Sequence, residues 1–210
     1  MFNKEKYLEI QRKIPPGVNI IGVTKTKSAE DIRQAIDAGI KIIAENYVQE
    51  AEKKYTELKD LLLEKKVRFD LIGHLQSNKA KKAAEIFDCI QTIDSPKIAR
   101  VLNKECELIN KTIRVMVEVN LGEEQKSGAK EQELEELIEK IKSLENLQLI
   151  GLMSIPKVGE ELICFKKMKE LKERYNLQEL SMGMSQDYEE AIENGATLIR
   201  LGTILFGERS

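Results

Sequence analysis

The first residue in this chain whose surroundings suggest chemistry is a lysine placed directly after a short apolar run. Lys25 follows Asn19-Ile-Ile-Gly-Val23 and Thr24, so it projects from the end of a strand-like segment, where it is partly desolvated. Desolvation disfavours the ammonium form and exposes the free amine that condenses with an aldehyde or a sugar carbonyl. With 34 lysines and arginines in the chain, a solvated lysine at a strand end is the plainer alternative. A second group lies near the C-terminus, where Ser181-Met-Gly-Met-Ser185 and Arg200-Leu-Gly-Thr-Ile204 follow the last two strand-like runs. Small residues there let main-chain N–H groups approach an anion, and the loops after strands seven and eight of a (β/α) barrel are its recurrent phosphate site. Taken singly, Gly202 reads equally well as a tight turn, and Ser185 as the N-cap of a helix beginning near Asp187.

These residues need a scaffold that brings distant strand ends together. The apolar pattern alternates between short strand-like runs and longer amphipathic segments, the signature of a parallel sheet covered by helices. Strands are predicted to end near Thr24, Glu45, Ile72, Ile93, Val119, Met153, Ser181 and Arg200. About eight such units predict an α/β fold, a single (β/α)8 TIM-type barrel with an extra N-terminal helix, occupying residues 1–210 as one domain. Leu134, Leu137, Ile138, Ile141 and Leu144 form one helical stripe; Leu162, Phe165, Met168, Leu171 and Tyr175 form another. Both stripes read as core. The segments 35–46 and 191–202 echo one another, each a helix end with a glycine (Gly39, Gly195) followed by a strand that ends in polar residues. That echo adds Asn46 and Arg200 to the site candidates, since barrel sites lie at the C-terminal strand ends.

Composition narrows the partners. Charged residues make up 33% and apolar residues 41%, no apolar run approaches the ~20 residues that cross a bilayer, and the first fifteen residues lack the apolar core of a signal peptide. A cytoplasmic protein that does not enter membranes is expected. The formal charge of -2 and the dispersal of lysines among acidic residues argue against nucleic acid as a partner. Cys89, Cys106 and Cys164 show no paired spacing, so reduced thiols and no metal are expected.

Several motifs carry a resemblance that covers nearly the whole chain. They are Val23-Thr-Lys-Thr-Lys27, Glu45-Asn-Tyr-Val-Gln-Glu50, Ile72-Gly-His-Leu-Gln-Ser-Asn-Lys79, Gly151-Leu-Met-Ser-Ile-Pro156, Leu180-Ser-Met-Gly-Met-Ser185 and Ile199-Arg-Leu-Gly-Thr-Ile-Leu-Phe-Gly207. With these the sequence resembles the pyridoxal phosphate homeostasis protein family, single-domain relatives of the alanine racemase barrel. The resemblance implies that the cofactor is pyridoxal 5′-phosphate (PLP), that Lys25 is the Schiff-base lysine, and that Asn46 lies near the cofactor ring. It places the phosphate on Ser181, Gly202 and Thr203, and Arg200 at the pyridine nitrogen. Two positions depart from the usual pattern: Ala44 stands where a glycine commonly precedes the Glu-Asn-Tyr motif, and Phe69-Asp70 replaces a Trp-His pair. His74 is then the one imidazole in the chain.

The implied function is intracellular homeostasis or delivery of PLP by a monomer, with apo forms of PLP-dependent enzymes as recipients. An arginine cannot accept the proton of the pyridine nitrogen, which weakens the ring as an electron sink. The racemases also use a tyrosine acid/base from a second domain, which this sequence does not contain. No efficient catalysis is therefore expected. A weak amino-acid racemase is the alternative, with a Schiff-base aldolase behind it. Tyr47, beside Asn46, is expected to pack against the barrel rim rather than to replace the missing tyrosine.

Overall fold

Each apolar run of strand type forms one strand of a closed parallel sheet in the computed structural model of the protein, which describes residues 1–121 and 127–208. The strands are β1 (Asn19–Val23), β2 (Ile42–Glu45), β3 (Arg68–Leu71), β4 (Cys89–Ile93), β5 (Ile113–Asn120), β6 (Ala129–Lys130), β7 (Leu147–Met153), β8 (Glu179–Ser181) and β9 (Leu198–Leu201). Around the barrel the order is β4-β3-β2-β1-β9-β8-β7-β5, and pairing of Cys89 with Arg114 between β4 and β5 closes the ring. All eight strands run parallel, and each ends within about one residue of its predicted position. The two-residue β6, hung on β5 through Val119 and Ala129, was not predicted; it is too short to carry an apolar period.

Helices cover the outside: α1 (Lys4–Lys13), α2 (Ala29–Asp37), α3 (Val48–Lys65), α4 (Ala80–Ile86), α5 (Pro96–Leu108), α6 (Leu134–Lys142), α7 (Glu161–Arg174), α8 (Tyr188–Glu193) and α9 (Thr203–Phe206). Local chemistry sets several starts. Asn3, Ser28 and Ser95 each accept a main-chain N–H from the first turn of the helix they cap, and Pro96 supplies a preset φ at the start of α5. Gly39 and Gly195 take the predicted left-handed turns between helix and strand, at φ +111° and +90°. The extra helix α1 packs on the far end of the chain: Asn3 donates its N–H to the Leu205 carbonyl, and the Phe2 and Phe206 rings lie 5.4 Å apart.

The α6 stripe packs as predicted through Leu134, Leu137, Ile138 and Ile141, with Leu144 beyond the helix end and partly buried. The α7 stripe is corrected. Cys164, Phe165, Met168 and Leu171 face the core, whereas Leu162 is exposed, because it lies about 200° around the helix from Cys164.

Inside the barrel, alternate strand residues such as Ile21, Val23, Ile42, Ala44, Met116 and Leu198 form a small apolar cluster. Below it lies a polar plug. The Arg68 guanidinium donates to both oxygens of Asp70 and, across the barrel, to both oxygens of Glu179 on β8, while Gln91 donates to Asp70. Asp70 is fully buried, and desolvation pushes its carboxyl up to about 6 against the opposing pull of Arg68. Removing Arg68 strands the fully buried Asp70, so Arg68→Ala should cost about 3–5 kcal/mol in urea unfolding. The sign of the pH effect follows from a folded value above the unfolded 3.8. The native protein takes this proton first, so the contribution is complete below the unfolded value and lost as pH rises through about 6. Wild type should therefore gain stability relative to Asp70→Asn as the pH falls from about 7 to about 4; a flat difference would place that proton elsewhere.

Candidate functional site

The C-terminal ends of β1, β2 and β9 and the loop after β8 surround an open cavity of about 980 Å³. Lys25, Asn46, Arg200, Gly202 and Thr203, five of the six residues singled out from the sequence, line it. The sixth, Ser181, lies behind the wall: it is fully buried, and its hydroxyl accepts a hydrogen bond from Arg200 Nη1 at 2.9 Å.

The segment after β1 is held under tension by a network beneath it. Thr26 adopts φ +64°, a left-handed conformation that costs a non-glycine residue about 1 kcal/mol or more. Its N–H donates to Glu50 Oε1 at 2.6 Å, and the same oxygen accepts from Lys54 Nζ at 2.7 Å. Lys54 donates further to the Thr24 carbonyl at 2.6 Å and to Glu45 Oε1 at 2.7 Å. Two residues of α3, one turn apart, thus grip the main chain on both sides of Lys25. Lys27 bonds the opposite way, donating to the carbonyls of Gly207 and Glu208 at 3.2 and 2.7 Å.

Asn46 follows β2 and presents a buried Oδ1 that has no hydrogen-bond partner. Its own carbonyl is set by close approach of the next loop, since a Cβ on Gly73 would sit 1.9 Å from it. On the other side of β1, Arg200 rises from the neighbouring β9 into the cavity wall, its Nη2 bonded to the Ser154 carbonyl at 2.8 Å. It is 4% exposed, and burial lowers its guanidinium to about 10, opposed by Asp187 and Glu118. That leaves it a cation at neutral pH. Gly202 precedes α9 at φ -109°, and an added Cβ would meet Val23 at an ordinary 3.6 Å. A side chain the size of a methyl group therefore fits there without a clash within the protein.

Some of the arrangement escaped the sequence reading. Ser185 lines the cavity but does not cap α8; Asp187 holds that position and accepts the Met184 N–H. Tyr47 does not pack against the rim but is 64% exposed, at the extended residue before α3. Lys54 and Ser154 were missed, although Glu50 and Lys54 carry a visible four-residue spacing just after Asn46. His74 pairs with Asp94 at 3.1 Å on the exposed rim. Among the described residues the three cysteines are free and buried, no cluster could hold a metal, and no helix is long and apolar enough to cross a membrane.

The family described as alanine racemase, N-terminal domain, matches residues 4–210. A pyridoxal phosphate homeostasis protein of Synechocystis is 41% identical over the whole of both chains, and one of Vibrio alginolyticus is 42% identical over 93% of this chain and 88% of its own. The chain belongs to the pyridoxal phosphate homeostasis protein family. A solved structure of PipY from Synechococcus elongatus with PLP bound superposes with a TM-score of 0.89 at 36% identity, covering 97% of this chain and 99% of PipY. Alanine racemase of Clostridium difficile shares the fold alone, with a TM-score of 0.78 at 16% identity over 55% of its length. The departures from the family pattern fall outside the cavity: Ala44 packs in the apolar barrel cluster, and Asp70 belongs to the floor plug.

The network under Lys25 predicts a specific weakness. Lys54→Met leaves Glu45, fully buried, without its cation and removes one of the two donors to the Thr24 carbonyl. It should cost about 3–5 kcal/mol in chemical denaturation. Lys54→Arg, which keeps the charge, should recover part of that loss.

Proposed function

We propose that the protein holds PLP as a Schiff base on Lys25 and serves in intracellular homeostasis of that cofactor, releasing it to apo-enzymes. The observation that carries this reading is the convergence of Lys25, Asn46, Arg200, Gly202 and Thr203 on one cavity from three separated strand ends. When bound, PLP supplies an aldehyde that condenses with a primary amine. The cavity fits such a group: an amine after β1, a buried guanidinium on β9, an orphaned amide oxygen after β2, and a glycine whose missing side chain leaves the main chain open to a ligand.

In this reading the main chain at Gly202 and Thr203 holds the phosphate and Asn46 Oδ1 faces the ring. Ser181 joins the phosphate set by family resemblance, although its hydroxyl is engaged with Arg200 in the structure. Arg200, still protonated at neutral pH, donates to the ring nitrogen and cannot take up its proton. The cofactor is thereby bound without being activated as an electron sink. This favours a carrier over a racemase. Unpaired buried thiols and the family names of the relatives suit a cytoplasmic homeostasis role.

Borohydride reduction followed by mass spectrometry should find the cofactor on Lys25. Lys25→Ala should abolish the visible band of the Schiff base and Lys27→Ala should keep it; label on Lys27 overturns the assignment. Gly202→Ala, whose Cβ meets Val23 at an ordinary distance, should change the unfolding midpoint little while weakening PLP about 10-fold or more and pyridoxal without phosphate much less. Deuterium exchange at the α-carbon of amino acids should stay far below the ~1–10³ per second of ordinary enzymes, and Lys25-dependent exchange in that range would make the protein a racemase.

A further inference from the structure

Beside the cofactor cavity, and sharing its Ile155–Pro156 wall, lies a second cleft of about 360 Å³ between the ends of β5 and β7. Its polar floor is Glu118. This residue is 6% exposed; its Oε1 accepts from the Ser127 hydroxyl at 3.1 Å, while Oε2 is buried with no hydrogen-bond partner. A buried carboxylate oxygen left without a donor is costly, and burial raises the carboxyl above its ordinary value accordingly.

The cations near the cleft are committed elsewhere. Arg200 donates to Ser181 and Ser154, Lys167 pairs with Glu131 at 2.8 Å, and Lys157 pairs with Glu160 at 2.8 Å. The rest of the lining mixes polar residues such as Asn120 and Ser127 with an apolar set that includes Val119, Ile155, Pro156 and Ile163. A ligand that satisfies this site needs a donor head for Oε2, positive charge for a carboxylate, and a short aliphatic body. An anion is repelled by Glu118, whose described hydrogen bond is to a neutral hydroxyl. A quaternary ammonium has no N–H to give, and the described lining offers no aromatic cage for it.

We propose that this cleft binds a small aliphatic primary ammonium compound, its nitrogen on the Glu118 carboxylate. The site stands on its own geometry. Its meaning rests on the cofactor reading above, because primary amines are the compounds that exchange with a lysine for an aldehyde, and this cleft places one next to Lys25's cavity.

The test uses the full chain and n-butylammonium chloride, followed by saturation-transfer NMR and titration, with n-butanol and tetramethylammonium as controls. Butylammonium should bind in the millimolar range, and Glu118→Gln should weaken it about 10-fold or more with little effect on n-butanol. Glu118→Gln should also keep the Schiff-base band of bound PLP, so loss of the ammonium site is distinguishable from failure of the cofactor reading. A crystal of the wild-type protein soaked in the same salt gives a readout independent of any variant: the nitrogen should lie within hydrogen-bond distance of Glu118. Equal affinity of wild type and Glu118→Gln, tetramethylammonium binding as well as butylammonium, or a cleft without ligand in the soaked crystal overturns the proposal.

Discussion

One guanidinium closes the bottom of this barrel, and the rest of the interior is arranged around it. An eight-stranded parallel barrel encloses a space just wide enough for side chains to fill, and a charge placed there must find partners or it cannot stay ionised. Arg68 spans from β3 to the opposite β8 and answers both carboxylates it meets, with Gln91 completing the set. Charge pairing thus fills the N-terminal end, although Gln91 Oε1 is left without a partner there. Apolar residues form the middle, and at the C-terminal end Asn46 Oδ1 and Glu118 Oε2 also lack protein partners. The plug closes one end of the barrel, and the open cavity lies at the other.

Two different electrostatic devices sit side by side at the mouth. On the Lys25 side, charge is dense and mutually compensated: Glu45, Glu50 and Lys54 lock the main chain around Lys25 and hold Thr26 in a strained conformation. On the Arg200 side a lone cation is buried on a hydroxyl and a carbonyl, two neutral acceptors. The first device fixes where an amine sits. The second keeps a positive donor available without a carboxylate to neutralise it.

Strand positions were legible in the sequence because short β-branched runs punctuated by capped helices admit few other arrangements, and a residue that follows such a run must reach the rim. Lys25, Asn46, Arg200, Gly202 and Thr203 were found in this way. Facing was less legible than position. Ile113-Arg-Val-Met-Val117 is apolar on both faces, so nothing in the pattern shows that Glu118, the next residue, turns into the barrel mouth. Ser181 ends a strand like the others, yet whether it opens on the cavity or supports Arg200 depends on a contact between residues nineteen apart in sequence. Leu162 was misplaced by a helical miscount, and Lys54 was overlooked because a lysine on an amphipathic helix ordinarily faces solvent.

The packing of α1 on α9 has a thermodynamic side. A helix of four residues has no stability in isolation, since nucleation alone outweighs its few hydrogen bonds. The turn that begins at Thr203 persists because Leu205 and Phe206 are buried and because Asn3 and Phe2 secure them from the opposite end of the chain. The N-terminal helix therefore acts as a buttress that preorganises the rim: the turn at Gly202 and Thr203 that lines the cavity is ordered by folding itself, so its entropy is not charged against anything that binds there.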